Sequence, residues 1–201
     1  MTTRPSTRVS VRLARCLLAL GVLAVAFGLT EPAAASGGGY VFDGGSKVER
    51  AQVHRALEIS RFNWNLVQNT VTIHIRRGVL SHSIPGEIWL DADLLDAGEF
   101  SWATVQDEYA HQIDFSLFSD AIRIRLERAL WVRAWCYENP AIQAHSAQGC
   151  ELFSSVLPWA YWQSAANPYR PAFRLDESAA MPPAQFRRLL TTLLGPGTTS
   201  R

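Results

Sequence analysis

The stretch that most constrains this fold is Thr104–Phe115, TVQDEYAHQIDF. On a helix advancing about 100° per residue, with Asp107 at zero, His111 falls near 40°, Asp114 near −20° and Glu108 near 100°. Trp102, Val105, Tyr109 and Ile113 gather on the opposite side. One side of such a helix must pack into a core, while the other carries three carboxylates and an imidazole. An ordinary surface helix shows the same split. Phe115 and Phe118, however, fall at about 80° and 20° on the polar side, so protein must cover that side as the helix proceeds. A charged face running into a buried one is the geometry of a cleft floor.

The ends of the chain bound where this helix works. Arg4, Arg8, Arg12 and Arg15 precede the apolar run CLLALGVLAVAFGL, and PAAAS follows with an A-x-A site. This reads as a secretory signal over residues 1–35, cleaved after Ala35, and too short for a stable anchor. The full chain has 19 basic and 18 acidic residues, and the signal takes four Arg and one Glu with it. The remainder is slightly acidic and lacks the basic stripe of a nucleic-acid binder. It also lacks a basic amphipathic helix for a membrane surface. Residues 36–201 are the size of one domain with one core. Cys136 and Cys150 remain, and an even pair in an exported chain reads as a disulfide. Its loop of about 15 residues would contribute about 3 kcal/mol in the chain-entropy model.

Along the mature chain, SGGGYVFDGGS reads as a glycine-rich lead-in. Ser46 and Glu49 fit a capping box for a helix to about Ser60, with Val53, Ala56 and Leu57 inward. TVTIHIRR alternates as a half-buried strand, which makes His74 a sheet-face residue. EIWL, Glu87 to Leu90, reads as a second strand, placed at an edge because Pro85 and Gly86 open it. A helix is expected from about Ser119 to Cys136, another across CELFSSVLPWAYW, and a last one in PPAQFRRLLTTLL stopped by Gly195-Pro196. The fold class is α+β: helix-rich, with a small early sheet whose edge strand precedes the central helix.

A third chemical group is needed to complete the cleft. Glu151 sits among Leu152, Phe153, Val156, Leu157 and Trp159, where a carboxylate is costly unless paired, protonated or bound to a cation. A carboxylate in a first helical turn also favours the macrodipole, which leaves a structural role open.

DEYAHQID followed by a distant helical Glu resembles the zincin metallopeptidases of the gluzincin type, whose motif is H-E-x-x-H plus a downstream Glu. PGEIWLD adds to the resemblance as the strand before the active helix. The wider set YVFDGGS, PGEIWLDADLLDAG, DEYAHQIDF, WAYW and PPAQFRRLL is similar to a group of actinobacterial exported proteins with no assigned activity. The resemblance implies a zincin-like domain over 36–201. It makes Asp107, His111 and Glu151 ligands of zinc or another divalent ion, and Glu108 the catalytic base. Asp114 becomes a supporting carboxylate, and His145 or Tyr161 a stabiliser of a developing oxyanion. It further implies an extracellular peptide or protein substrate for a secreted, monomeric protein.

Asp107 departs from the family pattern, which has His there. An Asp reaches less far, and two carboxylates with one imidazole form a harder, more anionic ligand set. The alternative is therefore a non-catalytic secreted module that holds peptides on a degenerate zincin scaffold. In a third reading the Asp107–Asp114 face merely pairs with Arg side chains such as Arg123 or Arg125.

Overall fold

A computed structural model of the chain describes residues 38–136 and 144–199; the expected signal segment lies outside the described residues. The described residues form an α+β arrangement of four strands and six α-helices. The strands are β1 (Tyr40–Gly44), β2 (Val71–Arg76), β3 (His82–Ile84) and β4 (Glu87–Asp91), in sheet order β1-β2-β4-β3. Between β1 and β2 runs α1 (Lys47–Ile59), followed after the sheet by α2 (Ala92–Leu95), α3 (Trp102–Leu117), α4 (Asp120–Leu130), α5 (Gly149–Tyr161) and α6 (Pro183–Leu194). Among the described residues no helix is long and apolar enough to cross a membrane.

The capping box forms as expected. Ser46 Oγ accepts from Glu49 N at 3.2 Å, and Glu49 Oε2 accepts from Ser46 N at 2.5 Å. These bonds satisfy two of the orphan donors at the start of α1. Val53, Ala56 and Leu57 are buried on its inner face. In β2, Val71, Ile73 and Ile75 point into the core, while His74 bonds Asp43 at 2.8 Å and Glu87 at 3.0 Å on the outer face.

Two strands depart from the sequence expectation. The glycine-rich lead-in contains β1, which pairs in parallel with β2 and buries Tyr40. Flanking glycines obscured its alternation, because Gly44 and Gly45 serve positive-φ turns rather than a flexible leader. The second difference concerns the edge. Strand β4 is interior, parallel to β2 on one side and antiparallel to β3 on the other. Pro85 and Gly86 are the turn of the β3–β4 hairpin, with Ile84 opposite Glu87 and Gly86 at φ 82°. Proline followed by a positive-φ glycine is the central pair of a type II turn. The edge strand on this side is therefore β3, and β4 and α2 separate it from α3 along the chain.

Helix α3 holds this hairpin through Gln112. Its amide oxygen accepts from Gly86 N at 2.9 Å, and its nitrogen donates to Ile84 O at 2.8 Å and Glu87 O at 3.1 Å. Gln106 donates to Ala56 O at 2.8 Å and ties the same helix to α1. Tyr109 and Ile113 from α3 and Phe153, Val156 and Leu157 from α5 are fully buried. Burial of each such side chain contributes about 1.5–3 kcal/mol.

Helix α4 ends at Leu130, short of Cys136, and the next residue, Trp131, takes the left-handed conformation at φ 60°. Cys136 and Cys150 are joined, with Cα atoms 5.6 Å apart, in the ordinary range for a disulfide. The bridge pins the start of α5, and hence Glu151, to the segment that follows α4.

Candidate functional site

Helices α3 and α5 cross beside the edge strand and enclose a cavity of about 390 Å³. Its lining includes Ser83, Asp107, Glu108, His111, His145 and Glu151. A second cavity of about 640 Å³ shares Asp107, Glu108 and His145 with the first and adds Thr104, Tyr169 and Glu177. The two chambers meet at Ser81, Asp107, Glu108 and His145 and together make up the cleft.

Asp107 is 7% exposed, and its Oδ1 has no hydrogen-bond partner among the described residues. Burial raises its carboxyl to about 6; the His111 charge and the Ser154 hydroxyl offset this only in part. Glu108 accepts from Ser83 Oγ at 3.0 Å, and the same hydroxyl reaches the Glu108 carbonyl at 2.8 Å. Burial, and next the Asp107 charge, lift the Glu108 carboxyl to about 7. Adjacent carboxylates in a partly closed cleft resist ionising together.

His111 Nε2 lies 3.5 Å from Glu151 Oε2. Burial alone would lower the imidazole's pKa, but hydrogen bonding to Glu151 and the charges of Asp107, Glu151 and Glu108 raise it to about 9. Burial pushes Glu151 upward, yet His111 and His145 hold it below its ordinary range. Glu151 Oε1 faces the disulfide, 3.5 Å from Cys150 Sγ and 3.8 Å from Cys136 Sγ. Glu151 is thus the paired carboxylate that its apolar sequence surroundings required.

Among the described residues, the group of three possible donors within 4.8 Å of one another is Cys136, Cys150 and Glu151, whose sulfurs are bonded together. Asp107, His111 and Glu151 share the cleft without converging to that distance. Their chemistry nevertheless suits a divalent ion: an unpartnered buried carboxylate oxygen, a second carboxylate and an imidazole.

The remaining expected residues separate cleanly. Asp114 is buried, accepting from Arg123 Nε at 2.8 Å and from Trp135 Nε1 at 2.8 Å. It anchors α4 and the approach to Cys136, so the arginine-pairing expectation holds at this position. His145 lies in the cleft, 2.8 Å from Glu151 and 2.8 Å from Glu177. Tyr161 does not. It is 2% exposed, edge-on to Phe62 at 5.0 Å, and lines neither chamber. Its position near the end of α5 places it about three turns beyond Glu151, at the other end of the helix.

Three cleft residues escaped the sequence reading. Ser83 comes from a three-residue strand, and Glu177 from a short 3-10 turn, Glu177–Ala179. Tyr169 lies in the NPYRP turn, where Asn167 Oδ1 accepts from Tyr169 N at 2.8 Å. Burial, and then the Asp107 charge, push the Tyr169 phenol far above its usual range, so it remains a neutral donor. The only local signal for Tyr169 was an aromatic residue in a polar turn.

Comparison of the chain with protein-family models, curated proteins and solved structures returned no match.

Proposed function

We propose that this chain is an exported, zincin-like metallohydrolase acting on extracellular peptides, with a divalent ion, zinc foremost, held by Asp107, His111 and Glu151. The observation that carries the proposal is the buried Asp107 carboxylate with an unpartnered oxygen, set beside Glu108, His111 and Glu151 on a cleft floor. A buried, unpaired carboxylate is costly, and a cation is the partner that relieves it.

When bound, a divalent ion supplies Lewis-acid activation of water and of the substrate carbonyl. Glu108, oriented by Ser83, takes a proton from the attacking water and returns it to the leaving amine. The neutral Tyr169 phenol, across the second chamber, offers a hydrogen bond where negative charge develops on the carbonyl oxygen. Strand β3 pairs only with β4 among the described strands, which leaves its outer edge for an extended peptide.

The test is hydrolysis of an unfolded protein by the zinc-supplemented chain, with new termini identified by mass spectrometry. Glu108→Gln should keep its metal and lose at least about 100-fold in kcat/KM. A metal-loaded chain that cuts nothing across a broad peptide library would contradict the hydrolase reading. The second reading is a peptide-binding module, favoured by the His111–Glu151–His145 network, in which Glu151 already has partners within the protein. In that case Asp107→His, by restoring the missing imidazole, would raise metal affinity and yield no hydrolysis.

A further inference from the structure

We infer that His145 is a ligand of the divalent-ion site, supplying from outside the central helix the second imidazole that Asp107 takes from it. The inference rests on the metal reading above.

The geometry around His145 is that of a ligating histidine. It opens the 3-10 turn His145–Ala147, directly before α5. Its Nδ1 lies 2.8 Å from Glu177 Oε2, and that same oxygen accepts from Ser155 Oγ at 3.2 Å. Histidines that bind metals characteristically give their other ring N–H to a carboxylate that is itself hydrogen-bonded, which fixes the tautomer and the ring orientation. With Nδ1 turned to Glu177, Nε2 faces Glu151 Oε2 in the cleft at 2.8 Å.

His111 Nε2 faces the same Glu151 oxygen from the other side at 3.5 Å. Two imidazoles thus flank one carboxylate oxygen, although the three donor atoms do not lie within 4.8 Å of one another. Seven carboxylates line the two cavities against three imidazoles, Arg123 and Arg170, so acidic groups outnumber basic ones around a bound cation.

The side chains still have to close on the ion. His145 is the one able to adjust, because its side chain is 57% exposed at the mouth while His111 is 13% exposed within. Glu177 is a positioning residue here, acting only through His145. Its link to Ser155 on α5 ties the ring to the same helix that carries Glu151.

The test uses cobalt(II) as the probe on the full, disulfide-bonded chain. X-ray absorption counts the imidazoles on the ion, and competition with a chelator gives affinity. Wild type should show two imidazoles. His145→Ala and His145→Gln should each show one, with at least tenfold weaker binding. Glu177→Gln should keep two imidazoles and weaken binding by about 10–100-fold. Unchanged affinity and imidazole count in both His145 variants would overturn this assignment and leave Asp107, His111 and Glu151 as the ion's holders. Failure of the wild-type chain to bind cobalt or zinc at all would overturn the metal reading itself, and His145 with it.

Discussion

Replacing Asp107 by Asn should make the metal-free protein more stable at neutral pH, and the gain should vanish in acid. The Asp107 carboxyl stands at about 6 in the fold against a reference value of 3.8, chiefly because it is buried. At one pKa unit per 1.36 kcal/mol, the ionised group costs the fold on the order of 3 kcal/mol above that range. The sign follows from proton counting. Between the two values the folded chain holds a proton that the unfolded chain has released, so stability falls as pH rises from about 4 to about 6. Below both values the carboxyl is neutral in both states and contributes no such penalty. An amide carries no charge to desolvate, although an imperfectly bonded one costs about 1–3 kcal/mol of its own at every pH. The diagnostic quantity is therefore the change in the variant–wild-type difference with pH. Urea unfolding of chelator-treated, disulfide-intact protein at a series of pH values should show that difference growing by about 3 kcal/mol in favour of Asn between pH 3.5 and 7.5. A difference that stays flat across the series would refute the claim that Asp107 is a buried, poorly compensated charge. Zinc should offset most of that gain, since ion at a hundredfold excess over Kd stabilises the wild type by about 2.7 kcal/mol.

Asp114→Ala should cost about 3 kcal/mol, because Arg123 and the Trp135 indole lose the buried acceptor they share; thermal melts would check this. Gly149→Ala should cost about 1–3 kcal/mol, since a Cβ there would stand 2.5 Å from the Trp135 ring. Normal stability in that variant would show that the ring has room to move. Replacing both Cys136 and Cys150 by Ser should lower stability by about 3 kcal/mol, measured by denaturant unfolding. Acid should weaken the β1–α1 region in two steps. Burial holds His54 below its reference value of 6.5 despite Glu58, and its ring bonds the Tyr40 hydroxyl, so the unfolded chain protonates first and stability falls below about pH 6.5. The His74 hydrogen bond, with Arg76, holds Asp43 below 3.8, so its contribution is present above that value and lost as pH falls through the lower folded one. His54→Gln should flatten the first step in a plot of Tm against pH and leave the second.

The elements that announced themselves in the sequence are those whose signals are local. Ser46 and Glu49 specify the start of α1 through bonds within one turn, and Val71, Ile73 and Ile75 specify β2 by alternation. Strands β1 and β3 were hidden because glycines flank one and the other has only three residues, paired through a Pro85-Gly86 turn. The end of α4 depends on a tryptophan in a left-handed conformation, which no propensity favours. In the cleft, Asp107, Glu108 and His111 were legible because helical spacing alone places them together. Glu151 was legible because an isolated carboxylate among apolar residues demands a partner. Tyr169 and Glu177 were not, since only the return of the chain past α5 brings them to residues more than twenty positions earlier.

Metal content of the purified chain, produced in an oxidising compartment and assayed by mass spectrometry beside His111→Ala and Glu151→Ala, is the most direct test. About one equivalent of zinc or another divalent ion is expected in the wild type and should be lost in both variants. A wild-type chain that carries no divalent ion, and takes up none when it is added, would contradict the proposed site.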